Sequence, residues 1–200
     1  TRVFPGPLDV AVSLGELTIS PEFWGALGAT LSTWLISLGI AIVLAVVLGV
    51  LIGSSPVVHR AVTGVIEFFR PIPSVAILPL ILLLYGPSDL TKILLTTYAA
   101  FWPMLVQTIY GVLGTDPVLK DVAATLNIGR FATRRRITLP SALPSMAVGL
   151  RISASISLIL CVTLEIIAGM DGHGKEIFLA QSAGALGQMY ALVIVTGLLG

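Results

Sequence analysis

The charged residues are absent from long stretches of this chain, and that constrains the fold more than any motif. No Asp, Glu, Lys or Arg falls between Glu22 and Arg60, between Arg70 and Asp89, between Lys92 and Asp116, or after Glu176. A bilayer core of roughly 30 Å takes about 20 apolar residues in helix. Three of these gaps reach that length, and the Arg70–Asp89 gap reaches it by including the apolar turns before Arg70. A fifth apolar stretch, Leu143–Gly169, holds only Arg151 and Glu165. The pattern predicts spans near Ala26–Gly53, Ala61–Tyr85, Ile93–Gly114, Pro144–Ala168 and Ala185–Gly200. Backbone groups in lipid have no water to bond, so each span is expected to be helical. The strands of a membrane barrel would alternate in polarity, and Ile36–Leu51 does not.

Composition agrees. Hydrophobic residues make up 56% and charged residues 10%, and mean hydropathy is +1.03. Soluble domains are about a quarter charged, so a disordered chain and a soluble enzyme are excluded. Eleven basic and ten acidic residues nearly cancel, which leaves no global field to draw in nucleic acid. Cys161 is the single cysteine and makes neither an intrachain disulfide nor a metal cluster. The chain starts at Thr1 and stops inside an apolar run at Gly200, so an upstream helix and a longer last helix are expected. No signal peptide pattern is present.

Lys and Arg in short loops set orientation. His59 and Arg60 follow the first span. Lys120, Arg130, Arg134, Arg135 and Arg136 lie between Thr115 and Pro144. The connectors near Ser88 and Asp171 hold one lysine each, offset by acids. The two basic loops therefore face the cytoplasm, and Thr1–Pro21 lies outside, with a short amphipathic run at Leu8, Val12, Leu14 and Leu17.

The longest polar connection is the most structured. Asp116-Pro117 reads as an N-cap and a proline at the first helical position. Val118, Leu119, Val122, Ala123 and Leu126 then share a helical face. Asn127 and Gly129 tolerate left-handed backbone and suit a helix end followed by a turn. A basic segment follows, stopped by Pro140 and Pro144. Such a helix could lie flat on the headgroups, its arginines on anionic lipid. Its apolar face could equally receive a partner.

The detailed pattern Asp121-Val122-Ala123, three residues, Asn127, nine residues, Ile137-x-Leu139-Pro140 resembles the Glu-Ala-Ala loop of permease subunits in binding-protein-dependent ABC importers. Asp replaces Glu, Val the first Ala, and Asn the Gly; the carboxylate, the apolar face and the left-handed turn are kept. Phe4-Pro5-Gly6-Pro7, Phe69-Arg70-Pro71-Ile72-Pro73, Thr115-Asp116-Pro117, Leu139-Pro140 to Pro144, and Gly149-Leu150-Arg151 resemble the nitrate, sulfonate and taurine branch. Together they extend over nearly the whole chain.

The resemblance implies one transmembrane permease domain over residues 1–200, an all-α polytopic bundle of the type I importer kind, with a cytoplasmic coupling loop at 115–143. It implies two copies of a separate ATPase, a periplasmic or lipid-anchored solute-binding protein, and a second, usually identical, permease. ATPase coupling falls to Asp121, Val122, Ala123, Leu126, Asn127 and Gly129, with Arg130, Arg134 and Arg135 as flanking contacts beside Arg136. The substrate implied is a small anion or small organic solute. No cofactor is expected in this chain: ATP is bound by the partner, and no Walker-type Gly-Lys-Ser/Thr sequence is present.

Four ionisable residues fall inside spans, where charge is costly and functional roles are the default. Glu67 and Arg70 are spaced for a local ion pair. Arg70, Pro71 and Pro73 also break a helix at membrane depth, as cavity-lining helices do, and with Glu165 they are the candidates for a pathway or gate. Arg151 and Glu165, about 20 Å apart along one helix, cannot pair there. Ser153, Ser157 and Cys161 form a small-residue stripe that suits close helix packing, and this helix is expected at a dimer interface. His59 and His173 lie on opposite sides and share no metal; Met170–Lys175 reads as a flexible external turn. Two rivals remain: a secondary, ion-gradient transporter with inverted repeats, and an intramembrane enzyme using Ser155 or Ser157.

Overall fold

The computed structural model describes residues 5–200; Phe4 of the Phe4–Pro7 motif and the side chain of Lys120 lie outside what is described. Among the described residues there is no strand, and the elements run α1 (Pro7–Ile19), α2 (Pro21–Gly53), α3 (Pro56–Phe69), α4 (Ser74–Tyr85), α5 (Asp89–Leu113), α6 (Pro117–Thr125), α7 (Arg130–Thr133), a π turn (Arg134–Thr138), α8 (Leu139–Ala168), α9 (His173–Ser182) and α10 (Leu186–Leu199). The all-helical expectation holds.

Local chemistry sets these starts. Pro7, Pro56 and Pro117 each open a helix, where a missing N–H costs nothing. The Asp9 carboxylate accepts from the Gly6 N–H at 3.0 Å, and the Ser55 hydroxyl accepts from Val58 N–H at 3.4 Å.

Three stretches are long and apolar enough to cross a membrane: Pro21–Gly53, Asp89–Leu113 and Arg130–Ala168, with α3–α4 as a fourth if the broken pair counts as one span. The fifth expected span, near Ala185–Gly200, coincides with α10, an apolar helix of 14 residues. Pro140 and Pro144 do not stop the chain. Helix continues from Arg130 to Ala168 because the π turn lets the Leu139 N–H reach back to the Arg134 carbonyl, five residues away. That wider turn relieves the crowding a proline ring imposes on the preceding turn.

The chain divides into two compact units. The first comprises residues up to Ser37, Ser74–Thr96 and Ser155–Gly200. Its core gathers Leu17, Phe23, Leu27, Leu158, Val162, Ile177, Ala180, Ala191 and Leu192. Here α1 packs on α10 through Val10, Leu14 and Leu17, whereas Leu8 and Val12 of the expected face are exposed. The second unit comprises Leu38–Pro73 and Thr97–Ala154. Ala45 and Ile52 of α2, Met104, Leu105, Ile109 and Val112 of α5, and Ala142 and Met146 of α8 form its core.

The small polar stripe of α8 is internal and therefore no dimer face. Ser153, Ser157 and Cys161 are all fully buried within the chain. Ser153 donates to the Ala100 carbonyl at 2.7 Å, and Trp34 Nε1 donates to the Ser157 hydroxyl at 3.0 Å. The exposed stripe of this helix is Ile152, Ile156, Ile159 and Ile167.

Candidate functional site

The Thr115–Pro144 segment folds as its residues dictate. Asp116 Oδ1 accepts from Val118 N–H at 2.8 Å, capping α6. At the other end Asn127 takes φ 52°. Its N–H donates to Ala124 O at 3.0 Å and that of Ile128 donates to Ala123 O at 2.9 Å, the paired bonds of a Schellman end. Gly129 differs from expectation. It is extended at φ −58° and caps α7, so one left-handed residue suffices for the turn.

Ala123 is buried, 1% exposed, and anchors α6 to its unit; Val118, Leu119, Val122 and Leu126 are exposed. Asp121, Asn127, Gly129, Arg130 and Arg135 are exposed as well, with Arg134 half-buried. The result is a short capped helix with an unpartnered apolar face, rimmed by one carboxylate and several guanidinium groups.

Arg70 and Pro71 line an open cleft of about 470 Å³ together with His59, Thr63, Ile66, Glu67, Val106, Ile109 and Tyr110. Pro73 lies outside that lining. Among the described residues three ion pairs occur, and none contains Glu67, Arg70 or Arg151. The expected Glu67–Arg70 pair is therefore absent, and both charges open on the cleft. The helix break beside it is satisfied: the Phe69 carbonyl accepts from Tyr98 Oη at 2.8 Å and from Ile72 N–H at 3.2 Å. The Phe69 ring stacks on Trp102, centroids 6.4 Å apart.

Glu165 is not in that cleft; it sits fully buried in the other unit. Lys92 Nζ lies 3.3 Å from Glu165 Oε1, both side chains with no exposed surface. Thr30 Oγ1 of α2 is 2.9 Å from each carboxylate oxygen and accepts from His173 N–H at 2.8 Å. Gly174 N–H donates to Glu165 Oε2 at 2.9 Å. The N-cap of α9 is Gly172, which has no side chain, so Glu165 supplies the missing cap and its charge meets the positive end of the helix. Lys92 also donates to the Asp171 carbonyl at 2.6 Å. Four helices meet at this carboxylate.

Sequence reasoning missed Lys92 by counting it as a connector charge. Met170–Lys175 is likewise no flexible turn: His173 and Gly174 are buried, and Gly172 holds φ 150°, a region open to glycine almost alone. The exposed Asp171–Lys175 pair, 2.7 Å apart, holds the Asp171 carboxyl below its usual range.

Burial pushes the His173 imidazole below its ordinary pKa. With Nε2–H donating to Leu192 O at 2.9 Å, Nδ1 is buried without a partner, so a second proton has nowhere to bond. The unfolded chain takes up that proton near pH 6.5 and the folded chain does so only lower. Stability is therefore full above about pH 6.5 and declines below it. Denaturation midpoints in detergent should show this decline in wild type and a smaller one in His173→Gln.

Long apolar helices, a proline-broken helix pair with charges on a cleft, and a capped amphipathic helix between long helices are the parts of a polytopic membrane subunit. The family model described as "Binding-protein-dependent transport system inner membrane component" matches residues 41–200, and the chain belongs to that family: it is an ABC importer permease. It is 27% identical over 198 residues to the putative aliphatic sulfonates transport permease protein SsuC of Bacillus subtilis, covering 99% of this chain and 72% of that one. It is 34% identical over 161 residues to the taurine transport system permease protein TauC of Escherichia coli, covering 80% and 58%. It is 26% identical over 203 residues to the nitrate import permease protein NrtB of Leptolyngbya laminosa, covering 97% and 73%. The crystal structure of an amino acid ABC transporter with histidines shares the fold, at TM-score 0.72 and 18% identity over 93% of this chain and 92% of that one. The nitrate, sulfonate and taurine branch expected from the motifs is thus the branch in which the relatives lie.

Proposed function

We infer that this permease moves a small anion or zwitterion of the sulfonate, taurine or nitrate kind, delivered by a periplasmic or lipid-anchored solute-binding protein. The energy comes from two copies of a separate ATPase, which bind the ATP, and two identical permeases form the pathway. Coupling runs through the 115–143 loop on the cytoplasmic side.

The observation that carries this reading is the exposed apolar face of α6 at Val118, Leu119, Val122 and Leu126. A nine-residue helix capped at both ends is a rigid knob, and its apolar face gains by entering a partner's cleft. ATP binding then shifts the permease between two states through the differential fit of that knob. Asp121 and the Arg130 guanidinium group form the polar rim of the contact. On the substrate side, Arg70 suits the oxygens of a sulfonate or nitrate, while Glu67 on the same cleft suits the ammonium of a zwitterion.

Co-purification with the cognate ATPase tests the coupling. Asp121→Lys reverses an exposed rim charge, and Gly129→Arg adds bulk where a Cβ meets nothing within 4 Å. Each is expected to reduce ATPase capture about ten-fold or more with the thermal midpoint unchanged. Full capture by both variants would end the coupling assignment.

A further inference from the structure

A second feature of the basic segment is a groove that it forms with α2. The last two turns of α2 and the π turn enclose a groove of about 460 Å³. Val46, Val47, Val50 and Leu51 form its apolar wall, and Arg134 and Arg135 also line it. The wall belongs to a helix whose residues carry no charge from Glu22 to Arg60 and which is long enough to span a bilayer. Val46 lies about 10 Å before the end of α2. The groove therefore occupies the level where acyl chains meet headgroups, a level that the surface of a soluble partner does not enter.

Charge supplies the second argument. Neither Arg134 nor Arg135 forms an ion pair among the described residues. Val47 and Leu51 are 55% and 51% exposed, so the wall is left open by its own unit. The π turn sets the two arginines beside it, and such turns recur at functional sites. We propose that this groove is a specific site for one anionic phospholipid, its phosphate held by Arg134 and Arg135 and an acyl chain lying along Val46, Val47, Val50 and Leu51. Guanidinium forks match phosphate oxygens, and arginine stems cover apolar surface while their heads reach a polar group. The site would tie the segment following the coupling helix to the membrane, and it stands whether or not α6 docks an ATPase.

Native mass spectrometry of the purified full chain with added phosphatidylglycerol or phosphatidylcholine tests this. Wild type should retain one phosphatidylglycerol and little phosphatidylcholine. Arg134→Gln with Arg135→Gln should weaken retention about thirty-fold, at about five-fold per arginine. Val47→Trp, which fills the groove without touching charge, should weaken it about ten-fold and decides the matter if the double variant does not fold. Arg136→Gln, outside the groove lining, should change it less than about three-fold. Equal retention by wild type and Val47→Trp, or an Arg136→Gln loss as large as the double variant's, would overturn the site in favour of diffuse attraction. A double variant that keeps its lipid but no longer captures the ATPase would assign the arginines to the protein partner instead.

Discussion

Alanine at Lys92 is expected to cost about 3–5 kcal/mol of stability, the range for stripping a buried charge of its partner. The expectation follows from geometry: Glu165 and Lys92 are both fully buried, so water cannot enter to replace the ammonium. Glu165→Ala should cost at least as much. It leaves Lys92 with the Asp171 carbonyl and the exposed Asp89 at 3.4 Å, and it also removes the acceptor for Thr30 and for Gly174 N–H. The pair as a whole is worth far less than either deletion suggests, because both ions were desolvated to form it. Lys92→Met combined with Glu165→Gln, which keeps an amide acceptor near Thr30 and Gly174, should therefore recover most of the loss. Unfolding midpoints of the four proteins in one detergent measure this. Single substitutions that each cost under about 1 kcal/mol would show that the pair is not the anchor described.

Valine at Gly49 and Gly53 is the second large effect. These two residues lie one turn apart on α2. A Cβ at Gly49 would stand 2.7 Å from Thr108 Cβ and 3.3 Å from the Leu105 carbonyl. A Cβ at Gly53 would stand 2.8 Å from Val112 Cβ and 3.2 Å from the Ile109 carbonyl. The backbone of α5 cannot yield as a flexible side chain does, so α2 and α5 must separate. Lipid tails are as apolar as the side chains, so the contact rests on close packing that separation forfeits. Each substitution is expected to cost about 1–3 kcal/mol, and the pair less than the sum because one shift serves both. Gly39→Val, on the same helix with nothing within 4 Å of its Cβ, should be near neutral. A loss at Gly39 equal to that at Gly49 would mean that helix propensity, not packing, is being measured.

Much of the fold was legible because lipid forbids alternatives. The charge-free run after Glu22 and the 33-residue α2 correspond closely, and the Asp116-Pro117 start and Asn127 end of α6 are local backbone chemistry. The break at Arg70–Pro73 follows from two prolines. Three things were not legible. Lys92 sits 73 residues before Glu165, and no spacing rule relates residues so far apart. Pro140 and Pro144 carry the same stop signal that ends other helices; whether a π turn absorbs them depends on the packing around it. The Gly49-x-x-x-Gly53 spacing is a recognised close-contact pattern hidden within an apolar run that composition had already explained. In the candidate site, α6 and its exposed face were readable residue by residue. The cleft around Arg70 was not, since Val106, Ile109 and Tyr110 reach it from α5, a separate helix.

Uptake into proteoliposomes is the measurement that meets the central claim head-on. The permease is reconstituted with its ATPase, ATP inside, and the solute-binding protein loaded with radiolabelled taurine or an alkane sulfonate outside. Accumulation should require all three proteins and hydrolysable ATP, and it should vanish with Asp121→Lys. Accumulation by the permease alone under a proton or sodium gradient, indifferent to ATP, would contradict the account and make the chain a secondary transporter.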